Sequence, residues 1–176
     1  LDAYPLQLVA LQLARADLVV ATAEGVRREL ALLAPTCAPR MLVKPNAVDG
    51  RFFPPLVRPE PAPGAAFRLL SVARIDPQKG LHDLLAAAAE LRRRGIPFEL
   101  DLVGGVEPGS ESGEAVLTSL RSAIHQLGLD GVVALRGFLP AAGVRSALAA
   151  AHLFVAPYVE TASGDVQHSF PFFLPD

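Results

Sequence analysis

Residues 67–85, FRLLSVARIDPQKGLHDLL, leave a chain few ways to fold. Residues 67–75 are an apolar run rich in Leu, Val and Ile, suited to a strand buried on both faces. Asp76, Pro77 and Gln78 interrupt it, and from Gly80 onward Leu81, Leu84, Leu85, Ala88 and Leu91 recur at helical spacing. The chain therefore leaves a buried strand, turns tightly and enters a helix. The first N–H groups of that helix lack internal partners, and together with the helix dipole they favour an anion. Arg74 and Lys79 flank the turn. Beside a helix start each cation is disfavoured by about 0.3–1 kcal/mol, whereas a charge-assisted hydrogen bond to a bound anion contributes about 1.5–3 kcal/mol. The pair points to an anionic ligand, and phosphate is the commonest such group.

The chain's length allows either one domain or a piece of a larger two-domain protein. Of its 176 residues 51% are hydrophobic, enough to bury a sizeable core, and the formal net charge of -2 offers no general basic surface for nucleic acid. Cys37 is the single cysteine, which excludes a disulfide framework or a cysteine metal cluster within one chain and fits a reducing, cytoplasmic setting. No apolar run approaches the length of a membrane span, and the N-terminal LDAYPLQL has no signal-peptide character. The chain also lacks an initiator Met, which gives the expectation that it begins inside a longer protein.

Taken in order, residues 1–16 read as a helix with Leu6, Val9 and Leu13 on one side, 16–21 as a short strand, and Thr22 as the N-cap of a helix ended by Pro35 and Pro39. Residues 41–43 form another short strand. Pro54, Pro55, Pro59, Pro61 and Pro63 then crowd one span that cannot pair in a sheet and reads as a stiff connector. Beyond it the alternation is regular: strands over 67–75, 98–103, 132–135 and 152–156, with helices over 80–94, 114–127 and 142–151. Such alternation predicts a parallel, Rossmann-like sheet with right-handed crossovers and strand order 3-2-1-4. Ligands in such sheets lie beyond the strand carboxyl ends. Here those ends are Ala73-Arg74, Gly104-Gly105, Gly137-Phe138 and Tyr158-Val159-Glu160.

On spacing alone Gly104-Gly105 reads first as a turn pair, with close ligand approach as the second reading, and Gly137 is similar. The arrangement is not G-x-G-x-x-G, so a dinucleotide fingerprint is absent. Glu160 reads equally as a cleft carboxylate or a solvated loop residue. His82, His125 and His152 fit locally satisfied side chains, and the four histidines show no spacing suited to a metal. No G-x-S-x-G elbow is present.

The segments KPNAVD with Phe52, SVARIDPQKG (71–80), LVGG (102–105), LRGFL (135–139) and AHLFVAP (151–157) resemble, in order and spacing, the motifs of family 4 retaining glycosyltransferases, of GT-B fold. The resemblance covers nearly the whole chain to about Gln167. It implies that residues 1–48 are the tail of an N-terminal acceptor domain, 49–64 an interdomain linker, and 65–176 the first part of the nucleotide-sugar-binding domain. By the same resemblance Arg74 and Lys79 hold the donor diphosphate as catalytic residues, while Gly80, Gly104, Gly105, Gly137, Phe138, Glu160 and His168 belong to the donor site. The implied ligands are a nucleotide sugar, such as a UDP- or GDP-sugar, and a carbohydrate or lipid-linked acceptor, with no metal or other cofactor. Any peripheral membrane contact would fall to the missing acceptor domain. In many relatives two glutamates follow Gly164-Asp165-Val166-Gln167; here their positions hold His168 and Asp176, as a truncation or frame change near residue 168 would produce. Two functions follow: part of a retaining glycosyltransferase, inactive as the isolated chain, or a non-catalytic nucleotide-binding module.

Overall fold

The computed structural model describes residues 6–47, 50 and 59–159. The described residues fall into two compact units, one reaching to residue 47 and the other starting at Gly50.

The first unit runs α1 (Leu6–Arg15), β1 (Val19–Ala21), α2 (Glu24–Leu33), a 3-10 segment (Pro35–Arg40) and β2 (Met41–Val43). β1 and β2 pair in parallel, Val19 opposite Met41. Val19, Ala34, Cys37 and Met41 form its small core, with Leu13 and Leu30 packed against them. Cys37 is fully buried and its thiol donates to the Ala34 carbonyl at 2.9 Å. Two local expectations are corrected. The α2 N-cap is Ala23 rather than Thr22, with no side-chain cap. Glu24 instead occupies the first turn, where it complements the dipole and pairs with Arg27. Pro35 and Pro39 do not simply stop the chain, because Pro35 opens the 3-10 segment, where a missing N–H costs nothing, and Pro39 lies inside it.

The second unit holds β3 (Phe67–Val72), a 3-10 turn (Pro77–Lys79), α3 (Leu81–Arg93), β4 (Phe98–Val103), α4 (Glu111–Gln126), β5 (Val133–Gly137), α5 (Ala141–Ala150) and β6 (Leu153–Phe154). All four strands are parallel in the order β5-β4-β3-β6, the 3-2-1-4 order expected. Leu69, Leu100, Leu102 and Phe98 of the sheet pack against Leu81, Leu84, Leu85 and Ala88 of α3 and Leu120 and Ile124 of α4. Burial of one such leucine contributes about 1.5–3 kcal/mol, and that repeated burial fixes both helices on the sheet.

The element ends differ from the sequence reading in instructive ways. β3 stops at Val72 rather than residue 75, and its first residues, Phe67 and Arg68, are exposed rather than buried on both faces. α4 begins at Glu111, three residues early, because Ser110 caps it by accepting the Gly113 N–H at 3.1 Å. β5 runs to Gly137, helped by a register irregularity that sets Val103 opposite Gly137. β6 is only two residues long, although His152 and Val155 extend its bonding to the Arg68 and Leu70 carbonyls at 2.8 Å each. Among the described residues no helix is long and apolar enough to cross a membrane.

Candidate functional site

β4 and β6 flank β3 on opposite sides, so the chain leaves β3 in one direction and later returns on the other. Such a switch point opens a crevice at the strand carboxyl ends. Those ends are tied together by backbone bonds. Ala73 N–H donates to the Val103 carbonyl at 2.9 Å, Ile75 N–H to that of Gly105 at 2.9 Å, and Gly104 N–H to that of Gly137 at 2.8 Å. The structure thus brings together three of the predicted strand ends, with Arg74 between two of the bonded residues.

The turn between β3 and α3 is built by its own sequence. Asp76 Oδ1 accepts the Gln78 N–H at 3.0 Å, and Pro77 takes the first helical position. Gly80 then adopts φ 59, a left-handed conformation that aims the chain into α3. A Cβ at Gly80 would lie 1.7 Å from the Pro157 carbonyl oxygen, so the segment after β6 sits directly against the turn. Val159 N–H closes that contact on the Gln78 carbonyl at 3.1 Å.

Among the described residues of the second unit Lys79 is the one buried charged side chain, only 8% exposed, and its Nζ lies 4.4 Å from the centre of the Tyr158 ring. Burial holds its pKa below the ordinary lysine value, and the positive charge of Arg74 pushes the same way, opposed by Asp76. Burial likewise raises the Tyr158 hydroxyl, which keeps its proton. Arg74 is more exposed, and its guanidinium pairs with Glu107 of the loop after β4.

The glycines divide by role. Gly104 has φ 138, and a Cβ there would meet the Ala73 carbonyl oxygen at 1.7 Å, so packing of β4 against β3 requires glycine. Gly105 is different: the nearest atoms to a Cβ, on Phe138, are 3.9 Å away, and packing leaves room for a side chain. Gly137 needs only its positive φ of 68 to turn the chain, and Phe138 beyond it is 83% exposed at the crevice end. Glu160 and His168 lie outside the described residues. Of the remaining histidines, His82 meets Ser119 at 2.9 Å, His125 meets Asp130 at 3.1 Å, and His152 Nδ1 accepts the Arg68 N–H at 2.9 Å. Among the described residues no group of three His, Cys, Asp or Glu side chains is placed to hold a metal ion.

Sequence reasoning missed Glu107 as the partner of Arg74 and Tyr158 as the surface under Lys79. A signal existed for each: Glu107 follows the strand-end glycines by two residues, and Tyr158 follows the proline that ends the fourth strand.

Comparison with known proteins agrees with this geometry. The profile of the family "Glycosyl transferases group 1" matches residues 55–163. The Escherichia coli (strain K12) protein named as the colanic acid biosynthesis glycosyltransferase WcaL is 33% identical over 128 residues, covering 73% of this chain and 29% of WcaL. The amylovoran biosynthesis glycosyltransferase AmsK of Erwinia amylovora is 31% identical over 100 residues, covering 57% of this chain and 23% of AmsK. Among solved structures, Anabaena HepE in complex with UDP and glucose superposes with a TM-score of 0.69 at 22% identity, covering 85% of this chain and 40% of HepE. Sucrose-phosphate synthase from Thermosynechococcus elongatus gives the same TM-score, covering 87% of this chain and 38% of its own. The chain therefore spans less than half the length of each of these proteins, and its α/β architecture is of the GT-B type of the two solved structures. With the parallel sheet, the switch-point crevice and the family profile in agreement, the chain belongs to the glycosyl transferases of group 1.

Proposed function

We propose that residues 71–80 and the neighbouring strand ends form the donor-diphosphate clamp of a glycosyltransferase that uses a nucleotide sugar. The observation that carries this reading is Lys79, a lysine buried at the crevice end of a parallel sheet, with Arg74 close enough to lower its pKa. A diphosphate bound beside two neighbouring cations is attracted by both charges at once. As the bond from the sugar's anomeric carbon to the phosphate oxygen breaks, its electron pair passes to that oxygen and negative charge grows there. Cations already fixed at that place stabilise the transition state more than the ground state. Arg74 supplies a permanently charged fork and Lys79 a compact ammonium, so the clamp meets this charge without a metal ion.

Gly80, Gly104, Gly105, Gly137 and Phe138 would border the nucleotide, and Glu160 and His168 belong to the same proposed donor site. HepE carries UDP and glucose in its crystal structure, and WcaL and AmsK are named for polysaccharide biosynthesis. These support a nucleotide-sugar donor and a carbohydrate acceptor. A UDP- or GDP-sugar as that donor, a lipid-linked form of the acceptor and retention of anomeric configuration in the whole protein are part of the proposal.

Calorimetry with UDP and GDP tests the clamp. Arg74→Ala and Lys79→Ala variants that keep the wild-type circular dichroism should each lose a charge-assisted bond of about 1.5–3 kcal/mol, or about 10- to 150-fold in affinity. Unchanged affinity in both variants would reduce the pair to ordinary charge on the molecule.

A further inference from the structure

A lysine at the end of a short 3-10 turn is a poor fixed charge on its own. Its four-carbon stem carries about 2 kcal/mol of rotamer entropy, and a cation that wanders among rotamers cannot be aimed in advance. Three contacts deal with this, and all come from the segment after β6. Val159 N–H binds the Gln78 carbonyl at 3.1 Å, one residue before Lys79. The Pro157 carbonyl fills the space that a side chain at Gly80 would need, one residue after Lys79. Between those two anchors lies Tyr158, whose ring centre is 4.4 Å from the Lys79 Nζ. The ring is thus tied to the same turn it covers.

We propose that Tyr158 is a positioning residue for the donor clamp: its ring face holds the Lys79 ammonium at the crevice. The inference rests on the clamp reading and extends it across the switch point, since β3 supplies the cation and the β6 side supplies its seat. A ring within about 6 Å of an ammonium attracts it through its quadrupole, and more strongly once water is excluded. Lys79 is in that regime at 8% exposure. The ring, rather than the hydroxyl, is the working part. A neutral phenol adds no negative charge to compete with a bound diphosphate.

The test is UDP calorimetry on the 176-residue chain carrying Tyr158→Phe, Tyr158→Leu, Lys79→Met and the double substitution Lys79→Met/Tyr158→Leu. Tyr158→Phe keeps the ring and should bind within about twofold of wild type, while Tyr158→Leu should bind about five- to tenfold more weakly. In the Lys79→Met background Tyr158→Leu should cost nothing further, which a merely structural tyrosine would not predict. Wild-type affinity in Tyr158→Leu, equal losses in the Phe and Leu variants, or the same loss in both backgrounds would overturn the proposal while leaving the clamp intact. Unchanged affinity in Lys79→Met would sink the clamp and this inference together. A second readout needs no Tyr158 variant. Lys44 and Lys79 are the only lysines in the sequence, so after reductive 13C-methylation the Lys79 signal, assigned by its loss in Lys79→Arg, should be shifted upfield of Lys44 by the ring. Coincident Lys44 and Lys79 signals would also overturn it.

Discussion

Gly104→Ala probes the joint that holds the crevice together. An ideal Cβ on Gly104 falls 1.7 Å from the Ala73 carbonyl oxygen and 2.7 Å from its carbon, where real Cβ atoms essentially never come within 3.0 Å. The strand ends would have to part by more than an ångström. That movement breaks or stretches the Ala73–Val103 and Gly104–Gly137 backbone bonds, now 2.9 and 2.8 Å long. Positive φ costs an alanine about 1–2 kcal/mol, and each of the two weakened bonds adds about 1 kcal/mol, for a total of about 3–4 kcal/mol. With a urea slope of about 2 kcal/mol/M, the unfolding midpoint should fall by about 2 M. Gly137→Ala is the matched control. It has φ 68 but nothing within 4 Å of its Cβ, so it should show the conformational cost alone, about 1–2 kcal/mol. Equal midpoints for the two variants would refute the steric reasoning. A Gly104→Ala chain that unfolds like wild type would refute the placement of β4 against β3.

Other perturbations isolate single features. On the proposed clamp, Glu107→Gln should tighten UDP binding in calorimetry by a few-fold, because the diphosphate would no longer compete with a carboxylate for Arg74. Lys79→Met should weaken UDP binding about 10- to 150-fold yet raise the urea midpoint at neutral pH. Burial lowers the folded-state pKa of Lys79 below its unfolded value, so the unfolded chain binds the proton more tightly and the charged lysine costs stability below that window. The gap between wild type and variant should narrow as pH rises towards the ordinary lysine range. Leu85→Ala, at a side chain with no exposure, should cost about 2–5 kcal/mol in urea unfolding. Ser110→Ala should cost about 1 kcal/mol by removing the cap on α4.

By itself the sequence determined the succession of elements in the second unit and their parallel order. Apolar runs and period-3.6 patterns are local, and the handedness of strand–helix–strand crossovers leaves few ways to assemble them. The turn from Arg74 to Gly80 was equally legible, because Asp76, Pro77 and Gly80 act locally, Asp76 by accepting the Gln78 N–H on its side chain and Pro77 and Gly80 through their own backbones. Where the local signal was ambiguous the element ends slipped. Glycine and serine around Ser110 resemble a loop until Ser110 is seen capping α4, and Thr22 resembles a cap although Ala23 holds that place. Only the tertiary structure decided what surrounds the two cations. Glu107 lies 33 residues from Arg74, and Tyr158 lies farther still from Lys79, on the segment after the strand that returns to the opposite side of β3. The same holds for the adjacent glycines Gly104 and Gly105. Identical in residue type, they differ because the Ala73 carbonyl lies against one while the other meets only Phe138, at 3.9 Å, a difference set by strand register and invisible to residue type.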